Sequence, residues 1–171
     1  MSTTITLPRV IVERIRREAE RLGLSLDEYL VELLSQSLDP RDRAREYAEA
    51  ARELLEQARR ELEKGNVRQA AEKAWGAAAL AVKAYAYWKE QRRLSSHGEL
   101  WEYARRIKRE LGSWVSDAWA QAISMHICFY EGWCTAEDVE EALKRIEKLV
   151  KETESHITKS QAGTTTPSKN S

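Results

Sequence analysis

Between Val67 and Glu90, alanine recurs at positions 70, 71, 74, 77, 78 and 81, with Trp75, Tyr85 and Trp88 among them. That spacing predicts one long helix. Side chains this small let a neighbouring helix come close, so the segment constrains how the rest of the chain packs. Trp75, Tyr85 and Trp88 are expected to be core residues at helical spacing. The composition agrees: it is dense in Ala, Leu, Glu, Arg and Lys, with three Pro in 171 residues. An all-α protein is expected.

Read in order, Thr-Thr-Ile-Thr-Leu at residues 3–7 alternates polar and apolar side chains, which predicts a short β-strand ended by Pro8. A helix is expected from Arg9 to Leu22, stopped by Gly23. Ser25 and Glu28 form a capping-box pattern for a second helix, from Leu26 to about Leu38. Asp39-Pro40 marks a boundary, giving an N-terminal arm of residues 1–39. Beyond it lies a bundle of about five helices, residues 40–156. Its helices run from Pro40 to about Lys64, from Val67 to about Glu90, and from His97 under a Ser96 cap. Two more follow, one through the apolar stripe ending near Tyr130 and one from Glu137 to His156 behind a Thr135 cap. Residues 157–171 lose the periodicity and are expected to be disordered.

Formal net charge is zero, so no global charge signature points to nucleic acid. One local surface is basic: Lys89, Arg92 and Arg93 precede Arg105 and Arg109, and these are the candidates for RNA or phosphate. No apolar run reaches the length of a membrane span. The first ten residues lack the basic and apolar regions of a signal peptide, so a cytoplasmic location is expected. The Glu, Arg and Lys density fits a thermophile. Cys128 and Cys134 have no CxxC partner, so reduced, partly buried thiols are expected, with no metal and no cofactor.

The stretch TITLPRVIVERIRREAERLGLSLDEYLVELLSQSL resembles a ribbon-helix-helix unit. In that family the strand pairs with its twin from a second subunit and enters the DNA major groove. The resemblance implies a homodimer, with Ser2, Thr4 and Thr6 facing bases and Ser25 near phosphate. Ser2 stands where a basic residue is common in the family. Residues 1–39 carry five Arg against seven acids, a poor balance for a polyanion.

The segments EKAWGAAALAVKAYA, SSHGELWEYA and AISMHICFYEGWCTAEDVEEAL together resemble the PaREP family of archaeal proteins, its first type, and through it the HEPN superfamily. The resemblance implies a HEPN-like up-and-down helical bundle preceded by a short β-strand and two helices. HEPN members include ribonuclease toxins, whose motif is an Arg, four to six residues, then a His. His126 takes the His position. The corresponding Arg positions are Trp119, Ala120 and Gln121, and none is basic. The expectation is therefore a non-enzymatic dimeric module that binds a protein partner or nucleic acid, in a toxin–antitoxin or defence-type pair. One alternative is a metal-independent ribonuclease using His126. Another is a ligand or nucleotide pocket lined by Trp75, His97, Trp101, His126, Tyr130 and Glu131, where aromatic rings would stack a base.

Overall fold

A computed structural model describes residues 3–162. Among these the chain forms seven helices: α1 (Arg9–Leu22), α2 (Leu26–Ser35), α3 (Pro40–Glu63), α4 (Val67–Glu90), α5 (His97–Leu111), α6 (Trp114–Glu131) and α7 (Ala136–Ala162). The all-α expectation holds. The strand expected at residues 3–7 does not: the segment is irregular and its side chains are exposed. A strand needs a neighbour to take its backbone N–H and C=O groups, and among the described residues this chain supplies none. A period-2 pattern is a necessary condition for a strand and not a sufficient one.

Local chemistry accounts for most helix ends. Gly23, in the left-handed region at φ 68°, ends α1, and the N–H of Leu24 donates to Ala19 O at 2.9 Å. Ser25 Oγ accepts from Glu28 N at 3.1 Å, while Ser25 N donates to the Glu28 carboxylate. Asp39 accepts from the N–H groups of Arg41 and Asp42, with Pro40 at the first helical position. Thr135 and Asp138 make the reciprocal pair at the start of α7.

Two helix ends differ from the sequence expectation. α2 stops at Ser35, three residues before Leu38, because Arg43 reaches back over it. Its guanidinium donates to the carbonyls of Ser35, Gln36 and Leu38, taking orphan acceptors that another turn would have used. α7 runs six residues beyond His156. Ile157 is buried, His156 stacks on Trp88, and Trp88 Nε1 donates to Ser160 Oγ at 2.6 Å. Residues 163–171 lie outside the described residues.

α4 occupies the centre and packs against α2, α3, α5, α6 and α7. Every residue from Ala74 to Tyr87 is buried. Gly76 is needed on this surface, since a Cβ there would sit 2.9 Å from Ser25 Oγ and 3.1 Å from Leu54 Cδ1. One charge lies inside this apolar helix. Lys83 is 1% exposed and its Nζ donates to Glu28 and Glu32 of α2, each at 2.5 Å. Burial alone would drive Lys83 towards neutrality, but the two carboxylates outweigh it and raise its pKa. Burial pushes Glu28 above the usual carboxylate range against the pull of Lys83. This triad and an Asp27–Lys73 pair at 2.6 Å tie α2 to the bundle. α1 packs against α2 and no other helix.

Candidate functional site

The central alanine helix brings Trp75 beside both histidines singled out from sequence. Trp75 is fully buried, and its ring centroid lies 4.7 Å from His126, 5.7 Å from His97 and 5.5 Å from Trp119. His97 and His126 are 5.1 Å apart, and Tyr130 meets His126 edge-on at 5.2 Å. Trp101 touches this group through Trp119 and is 38% exposed. Glu131 is exposed on the last residue of α6.

The two histidines have different tasks. His97 Nε2 donates to the carbonyl of Gly23 at 2.7 Å. A carbonyl only accepts, so the proton sits on Nε2. His97 thus joins the α1–α2 corner to the start of α5. His126 is enclosed by rings, and burial, then the neighbouring His97, lowers its pKa to about 4. It is neutral at pH 7. A folded-state pKa below the unfolded value of about 6.5 makes the protein most stable above pH 6.5, with stability lost as pH falls through that value towards 4. In an NMR titration the His126 ring should remain neutral at about pH 6, where an exposed histidine is mostly protonated. Thermal stability should fall on acidification below that point.

The candidate nucleic-acid residues are spread over the surface. Ser2 lies outside the described residues, and Thr4 and Thr6 are exposed. Ser25 is 3% exposed and committed to its cap, so its helix N-terminus faces α4. Of the basic candidates, Lys89 is paired with Glu110, and Arg92 lies 3.9 and 3.8 Å from Glu99 and Glu102. Arg105 lies over the Trp101 ring, while Arg93 and Arg109 are exposed. Four acids from α5 and the end of α4 thereby offset much of the local positive charge, Glu90 through Arg106 being the fourth.

The two cysteines depart from expectation. Gly132 turns the chain at φ 71°, bringing the Cα atoms of Cys128 and Cys134 to 5.6 Å, within disulfide reach, and the sulfurs are bonded. The same turn leaves carbonyls at the end of α6, and Arg68 of α4 covers them. Its Nε and Nη2 donate to Phe129 O at 2.9 and 2.6 Å, and Nη2 also donates to Tyr130 O at 3.2 Å.

Beside that clamp is a cleft of about 430 Å³, which reading the sequence missed. It lies between α1, the start of α2, the first turns of α4 and the end of α6. Arg16, Glu20, Gln69 and Glu72 line it, with Leu24, Phe129 and Tyr130 as apolar wall. Glu72 is half-buried; burial first, and then the charge of Asp27, raise its carboxyl above the usual range. Nothing in one-dimensional spacing links Arg16 to Glu72. Each reads as solvated helix surface until the fold sets both on the border of one cleft.

No helix among the described residues is long and apolar enough to cross a membrane. No curated protein and no solved structure matches the chain. The model of the archaeal PaREP1/PaREP8 family matches residues 46–150, which spans α4 and α5 with both histidines, α6 with the disulfide, and most of α7. With more than half of its length matched, the chain belongs to the archaeal PaREP1/PaREP8 family.

Proposed function

We propose that this protein is a non-enzymatic association module that pairs with a second copy of itself through the apolar surface of its N-terminal unit. The observation that carries this reading is the exposure of that surface. Val10 and Ile11 of α1 are 67% and 42% exposed, and Leu33 and Leu34 of α2 are 45% and 70% exposed. Ile5 and Leu7, just before α1, are exposed too. Scattered apolar side chains on a surface are ordinary, but seven on one 39-residue unit, Leu22 included, mark an interaction site.

A short amphipathic helix gains its stability by burying its apolar stripe. Here α1 rests on α2 alone and leaves much of that stripe in water. The acids of α2 do not interrupt this surface, because Asp27, Glu28 and Glu32 all turn inward to Lys73 and Lys83. The outward face of α2 is thus left uncharged and self-compatible, which suits a two-fold pairing.

The surroundings of His126 favour binding over catalysis. The ring is neutral at pH 7, and the places where the ribonuclease motif carries its Arg are a buried Trp119, Ala120 and Gln121. Without a guanidinium there, charge developing at phosphorus has no partner. In light scattering coupled to gel filtration, the full chain should elute as a dimer. Val10→Glu with Leu34→Glu should convert it to a monomer with unchanged helical circular dichroism, since both positions are exposed. A wild-type monomer at about 100 μM, or a dimer indifferent to the double variant, would overturn the proposal.

A further inference from the structure

We infer that the cleft between α1, the first turns of α4 and the end of α6 binds a small zwitterion, an amino acid with an apolar side chain. Glu72 and Glu20 would take its ammonium group and Arg16 its carboxylate.

Some of the charged groups at the cleft are already committed. Around the cleft, Lys73 is held by Asp27 at 2.6 Å, and Arg68 spends its guanidinium on the carbonyls of Phe129 and Tyr130. Among the described residues, Arg16, Glu20 and Glu72 make no ion pair. Two carboxylates and one guanidinium therefore border the same 430 Å³ space with no salt-bridge partner. Arg16 is close enough to act electrostatically on Glu72 without bonding to it. Opposite charges that border one cleft suit a ligand carrying both signs. An anion alone would leave two carboxylates uncompensated, and a cation alone would leave the guanidinium so.

The walls are fixed before any ligand arrives. Arg68 clamps the end of α6, the disulfide closes the turn after it, and Asp27–Lys73 and His97–Gly23 hold the α1–α2 corner. Groups held by such supports lose little freedom on binding. Leu24 and the Phe129 ring supply an apolar wall, which selects an apolar or aromatic side chain. Gln69 and the Tyr130 hydroxyl add neutral donors at the rim.

The probe is L-phenylalanine, titrated into the full-length protein by calorimetry. Phenethylamine, which lacks the carboxylate, and 3-phenylpropanoate, which lacks the ammonium, serve as comparison arms. Saturable binding of phenylalanine is expected, with each single-charge analogue at least about tenfold weaker. Glu72→Gln keeps shape and should remove the preference for phenylalanine over 3-phenylpropanoate. Arg16→Gln should remove the preference over phenethylamine, and it lies on exposed helix surface where folding is not at stake. The absence of saturable binding up to about 10 mM, or equal binding of all three probes, would overturn the inference. The monomeric Val10→Glu, Leu34→Glu variant should bind as well as wild type, so this result and the oligomeric state are read separately.

Discussion

Lys83→Met is expected to destabilise the protein by about 3–5 kcal/mol, because it removes the cation from a buried group that retains two carboxylates. In thermal unfolding followed by circular dichroism, that corresponds to a melting temperature lower by roughly 10 °C. Methionine fills the lysine stem, so the loss is electrostatic and leaves no large cavity. Glu28, whose carboxyl burial already raises against the pull of Lys83, must then take up a proton to stay buried. Its folded-state pKa rises further above the unfolded one, so the missing stability is recovered as pH falls and lost again as pH rises through the folded value. The deficit should accordingly be smaller at about pH 5 than at about pH 8. A triple variant with Lys83→Met, Glu28→Gln and Glu32→Leu should regain most of the loss, since it removes all three charges together and leaves none buried without its partner. Equal stability of wild type and Lys83→Met would show that the triad does not hold α2.

Trp75→Ala should cost a similar amount, about 3–5 kcal/mol, by emptying the space between α4, α5 and α6. Trp75 is fully buried and contacts Trp119, His97 and His126. Its removal also opens His126 to water. Because burial is the main cause of the low His126 pKa, that value should climb from about 4 towards the ordinary histidine range. Denaturant unfolding measures the first effect and histidine NMR the second. Trp75→Phe should cost less, since it keeps most of the ring and removes an indole N–H that finds no acceptor among the described residues. A destabilised Trp75→Ala protein with an unmoved His126 titration would mean that other groups enclose the imidazole.

Helix existence and helix starts were legible in the sequence because they are local. The Ser25–Glu28, Ser96 and Thr135–Asp138 caps each involve residues three or four apart, and periodicity marks α3, α4 and α5 closely. What was not legible depends on chain segments that are distant in sequence. Glu28 reads as a capping residue, and it is one, but its second oxygen meets Lys83 fifty-five positions later. Lys83 is the lone charge among Ala74–Tyr87, and that isolation was the available signal. Arg43 and Arg68 look like members of mixed-charge helix surfaces, yet each covers the end of another helix. The strand at residues 3–7 failed for the opposite reason. Its alternation is local and present, but pairing is not a local property. The aromatic and histidine candidates Trp75, His97, His126 and Tyr130 do meet in space; the open cleft lies beside them and shares Tyr130.

The Cys128–Cys134 bond joins residues six apart, between neighbouring ends of α6 and α7. A loop that short removes little freedom from the unfolded chain, about 2 kcal/mol in the entropy treatment. It ties no distant segments together, and the contacts of α4 with α3, α5 and α7 do not pass through it. Cys128 is fully buried while Cys134 is partly open, so a reducing thiolate has one sulfur to approach. The bond works as a local fastener for the turn at Gly132 and for the carbonyls under Arg68. Whether a cell keeps its thiols oxidised or reduced therefore bears on the shape of one corner, the corner that walls the cleft, and far less on the bundle behind it.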